Sequence, residues 1–381
     1  MPPLSLYVHL PWCVRKCPYC DFNSFAGGDA DQRTAYLELL LEDVRSEARR
    51  APGRELDSVF LGGGTPSLFT PDEIATLIDS IRDAFMLAGD VEITMEANPG
   101  SVECGDPAGY REAGVNRLSI GAQSFSPAAL ERLGRVHSTD DIDRAFAEAR
   151  EAGFDNINLD IMYALPEQTT SEAVEDLRRA TDLGPEHISW YQLTLEPNTV
   201  FHARPPAGLP DAEAAWDIQE TGADVLNDAG FAQYEVSAWA RDDGQDWRSR
   251  HNMNYWLFGD YLAVGAGAHG KVTAAGSIRR YRKPANPKAY ADFVRAGEFE
   301  DGEPVTAETL LFEYLLNALR LVDGFEESAF EERTGFTRET LSNRMESTLE
   351  KGMIERINGG VWRPTELGRR FLNDLQAEFL P

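Results

Sequence analysis

Six short β-rich runs, each followed by a longer stretch of other character, dictate most of what the first 200 residues of this 381-residue chain can become. The runs fall at residues 4–10, 58–61, 91–97, 117–121, 156–163 and 187–193. Between them, residues 35–48, 71–87, 140–152 and 171–183 space their apolar side chains at helical period, and several are entered through Asp, Ser, Thr or Pro. Such alternation produces parallel strands joined by right-handed crossovers. Eight units close a barrel and six do not, so the expected fold class is α/β, a partial (β/α)6 parallel barrel over residues 1–200. A Pro-rich stretch at 197–210 and a helix at 211–229 follow, then β-rich segments at 234–240 and 261–263 and a Gly-rich turn at 265–270. Residues 201–300 therefore read as an extension of the barrel. Beyond Gly302 the pattern is helical at 308–321, 326–334 and 338–351. A hairpin at 354–362, turning through Asn358, Gly359 and Gly360, precedes a last helix at 364–379. Residues 301–381 are expected to form a smaller, mainly α domain of winged-helix type.

Three of the four cysteines, Cys13, Cys17 and Cys20, make a C-x3-C-x2-C loop directly after the first run, while Cys104 stands alone and reads as a small buried residue. Disulfide frameworks use paired, dispersed cysteines in small secreted chains, so the cluster reads as a metal site. Thiolates select soft metals, which leaves zinc or an iron–sulfur centre. A structural zinc wants four ligands, and no fourth Cys or His lies nearby at finger-like spacing; His9, on the preceding strand, suits a structural role. Three thiolates hold three irons of a four-iron four-sulfur cluster and leave the fourth open to a small chelating ligand.

Charge narrows the partners. Sixty-four acids against 36 bases give a net charge of −28, which repels phosphate backbones and anionic lipid. The helical tail carries 16 acidic and nine basic side chains, so its winged-helix pattern reads as a packing or lid module rather than a nucleic-acid reader. The sequence shows no apolar run of roughly 18 residues, no basic-then-apolar leader and no basic amphipathic helix. A cytoplasmic chain is expected, at most peripheral at the inner membrane face and meeting it only through protein partners.

The cysteine loop resembles the signature of the radical S-adenosylmethionine (SAM) superfamily. More narrowly, Tyr7-Val8-His9-Leu10-Pro11-Trp12-Cys13 followed by Cys17-Pro18-Tyr19-Cys20-Asp21-Phe22 is similar to the HemN/HemW branch. The likeness continues through Gly62-Gly63-Gly64-Thr65-Pro66, Glu96-Ala97-Asn98-Pro99-Gly100, Gly121-Ala122-Gln123-Ser124-Phe125, Leu133-Gly134-Arg135, Asn158-Leu159-Asp160, Trp190-Tyr191-Gln192-Leu193 and His251-Asn252-Met253-Asn254-Tyr255-Trp256. A lone Gly-Gly-Gly-Thr-Pro is most often a turn feeding a Pro-started helix; with these neighbours it reads as part of a site.

The resemblance implies a 4Fe-4S cluster on Cys13, Cys17 and Cys20, with SAM held by Tyr7, Tyr19, Gly63, Gly64, Thr65, Glu96, Gln123, Arg135 and Asp160. Most of these fall at the C-terminal ends of predicted strands, where parallel barrels build their sites. Each suits a part of SAM: glycines where a Cβ would obstruct, Glu96 and Asp160 as acceptors for amino or ribose groups, Arg135 for a carboxylate. Coproporphyrinogen dehydrogenases of the branch carry a fourth cysteine where this chain has Phe22, and an N-terminal arm for which there is no room before Leu4. Both departures match the branch's haem chaperones, which bind haem and pass it to respiratory-chain haem proteins. On that reading the cofactors are a 4Fe-4S cluster and SAM, and haem is the cargo. The HNxxYW motif makes His251 the axial ligand, with Tyr255, Trp256 and Phe258 offering aromatic surface to the porphyrin. His269, in the Gly-rich turn, is a second candidate; His137, His187 and His202 read as structural. A dehydrogenase and a DNA-binding cluster sensor are the alternatives, and the oligomeric state stays open, a homodimer included.

Overall fold

All six expected strands form and lie side by side in the order of the chain. The computed structural model describes residues 1–100, 105–274, 276–299, 301–357 and 359–381; Cys104 and Asn358 lie outside them. The strands are β1 (Leu4–Leu10), β2 (Glu55–Gly63), β3 (Met86–Ala97), β4 (Arg117–Gln123), β5 (Ile157–Tyr163) and β6 (His187–Gln192). Neighbours pair in parallel throughout. The crossover helices begin where the capping residues place them. Thr70 and Glu73, Ser138 and Asp141, and Thr169 and Glu172 form reciprocal capping boxes at the helices Pro71–Ala84, Thr139–Glu151 and Thr170–Asp182.

Residues 231–304 enlarge the same sheet at both edges. Strands β7 (Phe231–Glu235) and β8 (Ala238–Arg241) form a hairpin beyond β6, where a single run at 234–240 was expected. The Glu235 carboxylate accepts from the Ser237 amide and turns the chain between them. On the other side β9 (Asp260–Val264) pairs in parallel with β1. It is a seventh parallel strand where six were expected, followed by the antiparallel β10 (His269–Ala274), β11 (Ser277–Arg282) and β12 (Glu303–Pro304). The sheet order among the described residues is β12-β11-β10-β9-β1-β2-β3-β4-β5-β6-β8-β7.

Both faces of the parallel strands are buried, but they bury different chemistry. Leu4, Leu6, Val8 and Leu10 of β1 join Val59, Leu61, Ile93, Met95, Ile120, Leu159 and Ile188 in the core beneath the helices. The alternate residues face the interior of the curved sheet and bond one another. Ser58 donates to Ser5 (2.7 Å), Asn158 to Ser119 (2.7 Å), and His187 lies 2.6 Å from Asn158 Oδ1. A polar interior of this kind is unusual for parallel strands, whose two faces are normally apolar. Here it supplies the walls of a site.

The C-terminal domain has its own core of Leu310, Tyr314, Phe330, Leu341, Met345, Trp362 and Phe379. Its hairpin strands Ile354–Ile357 and Val361–Pro364 pair as expected. The expected last helix is broken instead into Glu366–Arg370 and Leu372–Ala377, because Phe371 leaves helical dihedrals (φ −113°, ψ 44°) as Leu375 and Phe379 turn into that core.

Candidate functional site

The cysteine loop leaves the end of β1 and is stitched down at its base by main-chain bonds. Phe25 N donates to Pro11 O (2.8 Å), Gly27 N to Cys13 O (3.1 Å), and from the neighbouring loop Gly64 N to Leu10 O and Thr65 N to Trp12 O (both 2.8 Å). Gly63 and Gly64 were expected to leave room for a ligand, but the space is filled by protein. A Cβ on Gly63 would stand 2.4 Å from the His9 ring, and one on Gly64 2.6 Å from Trp12 O. These glycines let the second loop seat against the root of the first. Gly63 also has φ +117°, which an L side chain rarely adopts.

Above the loops' junction lies a cavity at the C-terminal ends of the strands. Cys13, Cys17 and Cys20 line it together with Tyr19, Gly63, Gly64, Thr65, Glu96, Gln123, Arg135 and Asp160. Eight of the nine expected SAM residues are thus gathered with all three thiols. The ninth, Tyr7, is not in the wall. Its hydroxyl donates to His9 Nδ1 (2.9 Å), and His9 Nε2 donates to Asn23 O (2.8 Å), so Tyr7 reaches the cysteine loop only through His9. The structural role expected for His9 matches this arrangement.

The cavity's electrostatics follow from burial and a few partners. Burial pushes the Glu96 carboxyl up to about 7; the Gly63 amide, 2.9 Å from its Oε2, works the other way, and nearby Asp160 adds to the rise. Burial likewise raises Asp160, against hydrogen bonds from Asn158 (2.9 Å) and Ser119 (3.0 Å). Two buried carboxyls facing one pocket favour a cationic ligand. Arg135 was expected to grip a carboxylate; here one nitrogen bonds Asn98 Oδ1 (2.6 Å) and Gly121 O (3.1 Å) and the other lies 3.5 Å from Cys17 Sγ. Burial raises the Cys13 and Cys20 thiols. No disulfide joins the three cysteines, and among the described residues no three Cys, His, Asp or Glu side chains converge as they would on a single ion. Zinc–sulfur bonds of about 2.3 Å would require that convergence, whereas a four-iron cluster takes each thiolate on a different iron. The donor set fits the cluster.

Several wall residues were not singled out from the sequence. Asn98, Ser119 and Tyr191 line the cavity, and Tyr191 donates to Gln123 Oε1 at 2.7 Å. Gln123 has φ +69° beside a register shift in β4, a local kink that re-aims its side chain. Ser119 carried a signal: it alternates with Gly121 on one face of a strand. Arg15, exposed on the loop, donates to the carbonyls of Gly134 and Arg135 and ties the loop to the segment holding Arg135.

The histidines separate clearly. His137 donates to Ala122 O (3.1 Å), His187 bonds Asn158 and Tyr234, and His202 donates to Leu195 O (3.0 Å), all structural as expected. His251 sits on the helix Arg250–Trp256 inside the curve of the sheet, beside β1 and β2, with its ring 6.3 Å from that of Tyr7. It is 2% exposed, and its Nδ1 lies 3.1 Å from Ser58 Oγ and its Nε2 3.1 Å from Tyr255 OH. Burial lowers it to about 3. Both of its nitrogens are thus bonded within the protein. Phe258, expected to face a porphyrin, is instead 1% exposed within the C-terminal core. Trp256 lies under the Arg320 guanidinium at 4.3 Å, and Tyr255 meets Tyr261 edge-on.

A parallel sheet with three cysteines over a polar cavity at its strand ends is the arrangement of a radical SAM protein, and the family model of that superfamily matches residues 7–180. The model of the HemN C-terminal domain matches residues 305–371. The chain is 45% identical to the heme chaperone HemW of Escherichia coli, over all of this chain and 99% of the other. It is 44% identical to that of Haemophilus influenzae (100% and 98%) and 32% to that of Bacillus subtilis (99% of each). The chain belongs to the HemW family. Its fold is that of the E. coli coproporphyrinogen III oxidase HemN, with a TM-score of 0.81 over 99% of this chain and 90% of that one at 22% identity. Among the described residues no helix is long and apolar enough to cross a membrane.

Proposed function

We propose that this protein is a haem carrier that holds SAM against a 4Fe-4S cluster and hands haem to respiratory haem proteins, reaching the membrane through those partners. The observation that supports it is likeness along the whole chain to proteins named heme chaperones. In this reading Cys13, Cys17 and Cys20 hold the cluster, Glu96 and Asp160 take the positive end of SAM, and Thr65, Gln123 and Tyr19 complete the wall. When bound, the cluster and SAM supply one-electron reduction of the sulfonium. The chain's own part is to keep the ligand dry, oriented and opposite two carboxyls.

A second reading, coproporphyrinogen dehydrogenation, is favoured by the completeness of that cavity. Phe22, in place of a fourth cysteine, is 58% exposed at its edge. The two separate in one anaerobic experiment on cluster-loaded protein given SAM, reductant and coproporphyrinogen III. No protoporphyrinogen is expected, while haem-loaded protein should transfer haem to an apo-cytochrome. Protoporphyrinogen formed with matching 5′-deoxyadenosine would replace the carrier reading.

Glu96 gives SAM binding a pH dependence. Its carboxyl is neutral below about 7 and ionised above, and a sulfonium with an ammonium group selects the ionised form. Affinity should therefore fall by up to about tenfold per pH unit below 7 and level off above it. Glu96→Gln should bind more weakly at pH 8 and lose the slope. A slope that survives in the Gln variant would assign the titration to another group.

A further inference from the structure

A buried hydroxyl stands beside the thiols in the wall of the cysteine cavity. Ser24, four residues past Cys20, is 4% exposed, and its Oγ lies 3.7 Å from Cys20 Sγ. We propose that Ser24 sets the reduction potential of the iron–sulfur centre by donating its hydroxyl to the thiolate of Cys20. The proposal rests on the cluster assignment above and adds to it a positioning residue, one that acts through a ligand sulfur rather than on the iron.

Where the hydroxyl proton goes is decided by what else could accept it. The other acceptor within reach is Phe22 O, at 3.4 Å. A carbonyl oxygen has two lone pairs, and this one already takes Lys16 Nζ at 2.8 Å and the Ser24 amide at 2.7 Å. The proton is therefore left to sulfur. Ser24 is also tied down on either side. The Asn23 carbonyl accepts from His9 (2.8 Å), the Asn23 side chain donates to Ala266 O (2.9 Å) and Ala285 O (2.8 Å), and Phe25 N donates to Pro11 O (2.8 Å). A main chain held at both neighbours presents the hydroxyl to the loop in one place.

Reduction brings one electron into the cluster from an external low-potential donor, and no bond forms or breaks. The ligand sulfurs become more negative, so a donor aimed at one of them stabilises the reduced form more than the oxidised form and raises the potential. Exclusion of water strengthens that bond and leaves nothing to replace it. Burial pushes the Cys13 and Cys20 thiols up, and Ser24 opposes this at both, joined by Thr65 at Cys13 and by the Phe22 amide at Cys20. Cys17 has an Arg135 nitrogen at 3.5 Å. Thr65 and Arg135 also face SAM in the reading above, so Ser24 is the donor whose removal tests the sulfur bond by itself.

Full-length protein, reconstituted anaerobically and kept free of SAM, is titrated with dithionite and redox mediators while electron paramagnetic resonance follows the reduced cluster. In Ser24→Ala the reduced-to-oxidised ratio at the wild-type midpoint should fall by about tenfold, which for one electron is ~59 mV. Iron per chain and, in a separate titration, SAM affinity should stay within about twofold of wild type. Ser24→Thr, which keeps the hydroxyl, should bring the midpoint back toward wild type. A Ser24→Ala ratio within about twofold of wild type would overturn the proposal. So would a Ser24→Ala protein that loses its iron, because the residue would then hold the loop rather than tune the centre. Wild-type protein that reconstitutes no reducible cluster would instead overturn the cluster assignment itself.

Discussion

Replacing Cys13, Cys17 and Cys20 together by serine is expected to give a colourless protein after anaerobic reconstitution, with iron content down by at least about nine-tenths and SAM binding lost with it. Serine hydroxyls do not ionise near neutral pH and are poor ligands for soft iron, so three hard oxygens in place of three thiolates remove the centre rather than retune it. The fold should survive. The loop's base is held by main-chain bonds from Phe25 to Pro11, Gly27 to Cys13 and Thr65 to Trp12, which a change of Sγ to Oγ leaves alone. Far-ultraviolet circular dichroism should therefore match wild type. A triple variant that kept the broad iron–sulfur absorbance would place the cluster ligands elsewhere in the chain. A variant that lost its helical signal along with its iron would show that the thiols are needed for folding.

The parts of this molecule that sequence discloses are those fixed by short-range rules. The six parallel strands and their helices are set by runs of β-branched and aliphatic residues and by caps such as Thr70, Ser138 and Thr169, all local signals. The cavity was legible because its residues stand at strand ends, where a parallel sheet gathers its loops. Tyr7 is a different case. It lies in the motif and one layer below the wall, and only the chain of bonds through His9 to Asn23 discloses how it acts. The seventh strand, β9, was misjudged because pairing with β1 is a contact across more than 250 residues, and nothing in its five residues specifies a neighbour. The histidines show the same limit. The motif around His251 marks it as special, but its bonds to Ser58 and Tyr255 come from tertiary packing. His269 reads as a second candidate from its Gly-rich turn, and only the hairpin shows that it stands next to Arg282 over a cavity.

Lys283→Ala is expected to destabilise the protein by about 3–5 kcal/mol at pH 8, the usual loss when one partner of a buried ion pair is removed. Lys283 is 3% exposed, and its ammonium bonds Asp43 Oδ1 (2.6 Å) and Glu47 Oε1 (2.7 Å) on the helix Ala30–Glu47. Those carboxylates also take the hydroxyls of Tyr290 and Tyr281. The cluster therefore pins that helix to the end of β11 and to the helix Pro287–Arg295, which are two walls of the cavity beside His269. Without the lysine, Glu47 keeps Arg50 at 2.9 Å, but Asp43 keeps only neutral donors. Burial already raises the Asp43 carboxyl above its ordinary value, with the lysine opposing that rise, so removing the lysine drives it further up. A group whose folded pKa is raised gives stability that is present at low pH and lost as pH climbs through that pKa. The variant's deficit should therefore be largest at pH 8 and smaller at pH 5, because lowering the pH protonates more of Asp43 and strands less charge. Urea unfolding at the two pH values measures this. A variant within about 1 kcal/mol of wild type at pH 8 would mean that water enters and solvates the two carboxylates, and that the ion cluster does not hold the cavity's walls together.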